Sequence, residues 1–352
     1  MPLGGLRLEN LRCFAQADVD FGGAPAILSG ANGSGKTTLL EGIYLLSRGR
    51  SFRSGYPNRL IRRGCQAVGV EADVLGTSIQ RRVRVTYEKK IVATIDHQAA
   101  TIREISQLLP LTLMDAGIAQ IVLGGAEQRR KLLDWLMFHV EPESWIVWKQ
   151  YRRALRQWQW ALRKGMDGAV WIERMLVGAP RIEASRKRLI AACLPHWHEA
   201  FESLFPGRNW SLDYSPGVPP STSLASALQG WAPERATQPL APGPHRAEIE
   251  IRVDGAPARH MLSRGQGKLL SIGLMWGGAH MLAQHLQACP LLLIDDFASE
   301  LDTQAQARLL ALLARGVSQV ILTAVTPVRK EETSCKYRLF HVEQGHIRWS
   351  SS

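Results

Sequence analysis

The feature that most constrains this chain is the run Gly30-Ala31-Asn32-Gly33-Ser34-Gly35-Lys36-Thr37-Thr38, set between two apolar segments. Ahead of it, Ala26-Ile27-Leu28-Ser29 reads as a short buried strand, and behind it Leu39-Leu40-Glu41-Gly42-Ile43 reads as a helix. Strand, glycine-rich turn and helix in that order make GxxxxGK[ST], a loop whose backbone N–H groups curl around phosphate. The helix N-terminus adds its partial positive charge at the same place. Lys36 is expected to reach the β- and γ-phosphates and Thr37 to offer its hydroxyl to Mg2+.

A loop of this kind calls for a second strand ending in a carboxylate, and Pro290-Leu291-Leu292-Leu293-Ile294-Asp295-Asp296 supplies it. Asp295 is expected to hold Mg2+, directly or through water, and Asp296 to orient or deprotonate the attacking water. An aspartate at a strand end can also do no more than cap a helix. Two adjacent carboxylates after an apolar run, in a chain that already has the loop, favour the metal and water roles. Ser263-Arg264-Gly265-Gln266-Gly267-Lys268 precedes a helix over Leu269–Met281, and a serine at a helix start is a second phosphate reader. Phe297-Ala298-Ser299-Glu300-Leu301-Asp302 follows the aspartate pair, and Val320-Ile321-Leu322-Thr323 is a last apolar strand.

The rest of the chain is split around a helical part. Leu6–Leu11 and Arg82–Tyr87 alternate as strands do, whereas Leu132, Leu133, Leu136, Leu155, Trp158, Leu162, Ile182, Leu189 and Ile190 follow helical spacing. Trp135, Trp145, Trp148, Trp158, Trp160 and Trp171 crowd that helical part, where packing between helices is favoured over base stacking. A Pro-, Gly- and Ser-rich stretch from Tyr214 to Pro244 separates it from renewed β/α pattern. The reading is α/β: a head in two parts, 1–120 and 241–352, around a mostly helical arm over 121–240.

Lys and Arg total 43 against 31 Asp and Glu, a net charge of +12, which favours polyanions and nucleic acid above all. From Gly42 to Val70 there is no acidic residue, while Arg48, Arg50, Arg53, Arg59, Arg62 and Arg63 all fall there and are candidate DNA contacts. Arg152, Arg153, Arg156, Arg163 and Lys164 form a second basic stretch and Arg181, Arg186, Lys187 and Arg188 a third, so the basic helical arm is a further candidate DNA-facing surface. No apolar run approaches the roughly 18 residues that span a bilayer. The first residues lack the layout of a signal peptide. Five scattered cysteines (Cys13, Cys65, Cys193, Cys289, Cys335) suit neither a disulfide framework nor a zinc site. The expectation is a cytoplasmic protein with reduced thiols and no membrane partner.

In their order these pieces resemble ABC-type ATPases, and within them the RecF family of bacterial recombination and repair proteins. The resemblance covers nearly the whole chain. It is carried by Leu6-xx-Glu9-Asn10-Leu11-Arg12-xx-Phe14, Gly49-Arg50-Ser51-Phe52-Arg53, Leu60-Ile61-Arg62, Arg129-Arg130-Lys131-Leu132-Leu133-Asp134, Tyr151-xxx-Leu155-xx-Trp158, Gly243-Pro244-His245-Arg246 and, most discriminating, the DDxxSELD string Asp295–Asp302. The resemblance implies an ATPase head with an inserted arm, ATP and Mg2+ as cofactors, and nucleotide contacts from Gly30 through Thr38. It further implies an ATP-dependent, head-to-head homodimer in which Ser263, Arg264, Gly265 and Gln266 of one subunit face the P-loop of the other. Such dimers clamp duplex DNA near single-strand gaps and, with RecR and RecO mediators, help load RecA in recombinational repair and at replication forks.

Three departures bear on turnover. The signature has Gly267 where the family usually has Gln, Met114-Asp115-Ala116-Gly117 leaves no evident Q-loop residue, and Thr323 and Thr326 follow the last strand where transporter domains have His. The residue after Asp295 is Asp, not the Glu of fast ABC motors, so the expectation is a slow, DNA-stimulated switch. A transporter ATP-binding subunit, a nuclease with an ABC head and an SMC-like tether are rival readings. The Trp- and Arg-rich insertion argues against the first, the scattered C-terminal acids against the second, and the short insertion against the third. His245 and Arg246 either contact nucleotide or DNA, or fix the return of the chain from the arm.

Overall fold

The computed structural model describes residues 2–76, 79–219, 221–229, 241–286, 290–316, 318–327 and 337–349. The chain opens with β1 (Leu3–Leu11), β2 (Phe14–Asp20) and β3 (Ala26–Ser29), and the P-loop leads into α1 (Lys36–Arg48). Next come β4 (Val68–Leu75), β5 (Gln80–Tyr87), β6 (Ile91–Ile95), β7 (Gln98–Ala100), α2 (Ile102–Leu108) and β8 (Leu111–Met114). A helical stretch follows: α3 (Gln120–Leu123), α4 (Ala126–Val140), α5 (Pro142–Arg163) and α6 (Ala169–Leu204). After β9 (Trp210–Ser215) and α7 (Leu224–Gln229) stand β10 (Glu248–Val253), β11 (Ala256–Pro257) and α8 (Ala258–Met261). The chain ends through α9 (Arg264–Leu286), β12 (Leu291–Ile294), α10 (Thr303–Arg315), β13 (Gln319–Ala324), β14 (Arg338–Glu343) and β15 (His346–Trp349).

By its contacts the chain divides into two compact units, 1–118 with 282–352, and 119–281. The first holds two six-stranded sheets. One, β2-β1-β4-β5-β6-β7, is antiparallel; the other, β15-β14-β3-β13-β12-β8, is parallel except for its edge strand β15. The difference follows from composition. β12 is a continuous apolar run, and β3 and β13 are apolar but for Ser29, Gln319 and Thr323 and buried along nearly their whole length, as parallel strands covered on both faces are, whereas β1 and β5 alternate. On β1 and β5 the polar positions carry matched charges: Arg7 pairs with Asp18, and Arg84 with Glu9 and Glu71. Leu39, Leu40, Ile43 and Leu46 of α1 enter one core with Leu8, Val70 and Val83 of the first sheet and Leu28, Leu293 and Ile321 of the second. Gly42 lets α1 approach β1, since a Cβ there would stand 2.8 Å from Leu8 Cδ2.

In the second unit α5 and α6 bury Trp148, Tyr151, Leu155 and Trp158 with Met175, Ile182 and Leu189. At 36 residues, α6 is about 54 Å long and continues through Pro180 and Pro195. Trp148 and Trp158 pack as the spacing implies, while Trp160 is exposed. A three-stranded sheet, β11-β10-β9, belongs to this unit too. The arm's expected return at 241 therefore falls inside the second unit, which runs on to 281. Its cause is long-range pairing: β10 takes β9 as its partner, Val253 against Trp210, and Gly273 and Gly277 of α9 admit Leu204 and Trp197 of α6. The Tyr214–Pro244 stretch is partly strand and helix; residues 220 and 230–240 lie outside the described residues. No described helix is long and apolar enough to cross a membrane.

Of the third basic stretch Arg181, Lys187 and Arg188 are exposed, but Arg186 is fully buried and faces no DNA, and three of the sequence motifs meet around it. Arg186 donates to Pro244 O (2.5 Å) and to Asp134 Oδ1 (3.2 Å), and lies 4.6 Å from the centre of the Trp148 ring. Tyr151 Oη and His245 Nδ1 are 3.0 Å apart. Arg129 grips Glu248 with two bonds (2.8 and 3.0 Å), and Arg130 donates to Ala247 O (2.7 Å). Burial holds His245 far below the ordinary histidine range, at about 4. Of its two readings, His245 takes the one that fixes the return of the chain from α6 and β9.

Candidate functional site

At the P-loop the glycines are required by backbone and by space. Gly30, Gly33 and Gly35 have φ of 154°, 79° and 117°. A Cβ on Gly30 would meet Val342 O at 2.2 Å, whereas the space in front of Gly33 is open to 4 Å. Gly35 starts α1 without a side-chain cap, so the first-turn N–H groups keep the anion-binding character of a helix start. Lys36 Nζ donates to Gly30 O (2.6 Å) and Ala31 O (2.8 Å). Burial lowers its pKa, and Asp295 and Asp296 oppose that shift.

The carboxylates arrive where the loop expects them. Thr37 Oγ1 donates to both oxygens of Asp295, at 3.0 and 3.1 Å. β12 and β13 pair with Ile294 against Leu322, which sets Asp295 beside Thr323. Thr323, with no exposed surface, donates from Oγ1 to Asp295 Oδ1 (2.7 Å) and accepts from the Asp296 N–H (2.7 Å). Asp295 N–H is taken by Met114 O at 2.8 Å, which gives the Met114–Gly117 turn a supporting place beside the site. Asp296 has φ 51°, a left-handed conformation held by Thr323 on one side and by Ser299 Oγ, which donates to Asp296 O (3.0 Å), on the other. Asp302 closes the string as the N-cap of α10, accepting from Ala305 N–H at 2.7 Å. Thr326 is exposed.

Thr37 and Asp295 together offer hard oxygen ligands, the donor set of Mg2+. The open front of Gly33 and the uncapped helix start leave room and N–H donors for phosphate. The residues present thus fit a magnesium nucleotide.

Ser263–Gln266 stand in the second unit, at the start of α9. Ser263 Oγ accepts from Gln266 N–H (3.3 Å) and Gln266 Oε1 accepts from Ser263 N–H (3.1 Å), a reciprocal cap with Ser263, Arg264 and Gln266 exposed. Gly267 is buried under α3: a Cβ there would come within 2.6 Å of Leu123 Cγ. The glycine in place of the usual glutamine is what Leu123 leaves room for.

The six candidate DNA arginines do not behave alike. Arg48 is half-buried and its guanidinium donates to Leu111 O (2.7 Å), which turns it into the fold rather than outward. Arg50, Arg53, Arg59 and Arg63 are exposed and Arg62 is half-exposed; among the described residues none of the five has an ion-pair partner. Two backbone bonds, Arg12 N–H to Leu60 O (2.9 Å) and Arg62 N–H to Asn10 O (2.8 Å), tie the end of this segment to β1.

The sequence reading missed Glu41. It is fully buried in α1, ion-paired to Arg12 at 2.9 Å, and accepts from Ser51 Oγ at 2.6 Å. A lone carboxylate within Leu39-Leu40-Glu41-Gly42-Ile43 was the available signal. It links the P-loop helix to the head of the basic segment.

The family model described as RecF/RecN/SMC N terminal domain matches residues 2–348. The DNA replication and repair protein RecF of Edwardsiella ictaluri is 33% identical over 359 residues, 99% of this chain and 99% of that protein. The chain belongs to the RecF family. RecF of Acinetobacter baylyi is likewise 33% identical, over 332 residues that cover 91% of this chain and 92% of that one. A solved structure of the recombination mediator protein RecF with ATP, in the RecFOR pathway, has a TM-score of 0.79 at 20% identity, covering 99% of this chain and 98% of that one. An SMC head bound to the C-winged helix domain of ScpA has a TM-score of 0.65 at 16% identity, over 99% and 97%. The fold is thus an α/β P-loop head of ABC type with an inserted helical arm. In this chain the DDxxSELD string builds the turn behind Asp296, and the Arg-Arg-Lys, Tyr-Trp and Gly-Pro-His-Arg motifs build the buried junction around Arg186.

Proposed function

We propose that this RecF-family chain is an ATP-dependent DNA-binding switch of recombinational repair and replication-fork maintenance. The observation that carries the reading is the meeting of Thr37, Asp295, Thr323 and the Asp296 backbone beside a glycine-built P-loop. Gly30 through Thr38 would bind the phosphates of ATP, and Lys36 Nζ would exchange its two carbonyl acceptors for phosphate oxygens. Thr37 and Asp295 would hold Mg2+, which when bound neutralises charge on the phosphates. Asp296 would orient the attacking water and take its proton. Aspartate is one methylene shorter than the glutamate of fast motors, so turnover is slow.

Ser263, Arg264, Gly265 and Gln266, exposed or adjacent at the start of α9, would read the nucleotide of a second copy, which makes dimerisation ATP-dependent. Arg50, Arg53, Arg59, Arg62 and Arg63 would hold duplex DNA by its phosphates, without sequence preference, near single-strand gaps. RecR- and RecO-like mediators would act with the clamp in loading RecA, and the setting is cytoplasmic. What supports this part is family membership together with an arginine segment that carries no carboxylate.

Sedimentation of the purified chain with and without Mg-ATP tests the proposal. Wild-type protein should shift to a dimer with ATP, and Lys36→Ala should stay monomeric. A monomer at all nucleotide concentrations would refute the switch.

A further inference from the structure

Of the two aromatic side chains in the basic segment between α1 and β4, Phe52 packs edge-on against Tyr44 and Tyr56 is exposed. The segment leaves α1 at Gly49 (φ 66°) and is pinned at once by Ser51, whose Oγ donates to Glu41 Oε1 and accepts from the N–H groups of Arg53 and Ser54, each at 3.1 Å. Gly55 (φ 75°) turns the chain, and Pro57 begins a single 3-10 turn over Pro57–Leu60. Tyr56 sits between them in extended conformation. One hydroxyl holds its backbone: Ser54 Oγ donates to Tyr56 O (3.1 Å) and accepts from Tyr56 N–H (3.4 Å).

The side chain, by contrast, touches little. Tyr56 is 66% exposed, and among the described residues its hydroxyl has no hydrogen-bond partner and its ring no aromatic neighbour. An exposed tyrosine is common on protein surfaces, and what sets Tyr56 apart is its place within a basic segment that carries no carboxylate. Phosphate binding needs only the arginines around it in sequence. An exposed ring carried on a hydrogen-bonded backbone within a carboxylate-free basic segment has the form of a stacking platform, on which an unpaired base can lie. Inside a continuous duplex both faces of each base are already covered. At the point where a single strand leaves a duplex, one face is open.

We propose that Tyr56 stacks on the unpaired base at a single-strand/duplex junction while the arginines of the same segment hold the flanking phosphates. Tyr56 is thereby the residue that makes gapped DNA preferred over continuous duplex. This rests on the reading of the arginine segment as the DNA surface.

The test is binding of the full chain with Mg-ATP, at moderate salt, to a continuous duplex, a gapped duplex and a gapped duplex whose junction nucleotide is abasic. Tyr56→Ala should weaken gapped-DNA binding about tenfold, the effect of losing one stacked base, and leave continuous duplex unchanged. Tyr56→Phe should bind as wild type. The abasic junction should cost the wild type the same factor and Tyr56→Ala nothing further. DNA-free ATP turnover of Tyr56→Ala should equal that of the wild type, which reports an intact fold. Equal weakening on both DNAs, or none on either, overturns the stacking role. The Arg53→Glu/Arg59→Glu double variant separates the underlying reading. If it binds all three DNAs as wild type does, the segment is not the DNA surface; if it loses them all while Tyr56→Ala loses nothing, only the stacking proposal falls.

Discussion

Thr323 Oγ1 lies 2.7 Å from Asp295 Oδ1, and the same oxygen accepts the Asp296 N–H at 2.7 Å. One hydroxyl at the end of β13 therefore fixes both carboxylates that follow β12. It orients the first by its side chain and the second by its backbone. Removal of that hydroxyl should uncouple nucleotide binding from turnover. Thr323→Val keeps the shape of a fully buried side chain and loses the donor to a charged group, an interaction of about 1.5–3 kcal/mol. Its kcat for ATP should fall by roughly ten- to a hundredfold, nucleotide Kd should stay near the wild-type value, and Thr323→Ser should recover most of the rate. Single-turnover kinetics beside nucleotide titration checks this.

Glu41 has no exposed surface, and its ion pair with Arg12 is only partly open to water. Glu41→Gln keeps the acceptor for Ser51 but leaves Arg12 without its counter-charge. Stability should fall by about 2 kcal/mol, less than for a wholly buried pair because Arg12 is partly solvated. Urea unfolding at neutral pH measures it.

Gly267 and Leu123 should be coupled. Gly267→Ala drives a Cβ to 2.6 Å from Leu123 Cγ and should destabilise by about 1–3 kcal/mol. Leu123→Ala should relieve much of that penalty in the double variant, so the two changes are non-additive in a double-mutant cycle.

The junction around Arg186 should make stability depend on pH. His245 titrates at about 4 in the fold, against an ordinary value of 6.5, chiefly because it is buried. The unfolded chain thus binds the proton first as pH falls. The contribution of His245 is full above pH 6.5, is lost progressively down to about 4, and amounts to about 3 kcal/mol. Asp134, whose carboxyl burial pushes up, shifts stability in the opposite sense. The difference between wild type and His245→Gln isolates the histidine. It should shrink between pH 6.5 and 4 in urea unfolding followed by tryptophan fluorescence.

Much of this site could be read from residue order. The P-loop and the aspartate pair are local patterns whose chemistry fixes their spacing, and both appear where their flanking apolar runs place them. The role of Thr323 was not legible, because it depends on the register of β12 against β13. Arg48, the last residue of α1, is set apart from the five arginines beyond it by reaching back to Leu111 O, a contact across 63 positions. The extent of the second unit was hidden for the same reason, since β10 finds β9 across a long connection. Pro180 and Pro195 would locally end a helix, yet the buried face of Ile182, Leu189 and Ile190 carries α6 through both.

The central claim is that one nucleotide site, built by Lys36, Thr37, Asp295 and Asp296, answers to DNA. Steady-state ATP hydrolysis with and without gapped duplex DNA, beside Lys36→Ala, tests it most directly. Slow basal turnover, raised several-fold by DNA and absent in the variant, is the predicted result. Turnover indifferent to DNA at moderate salt, or surviving in Lys36→Ala, would contradict it.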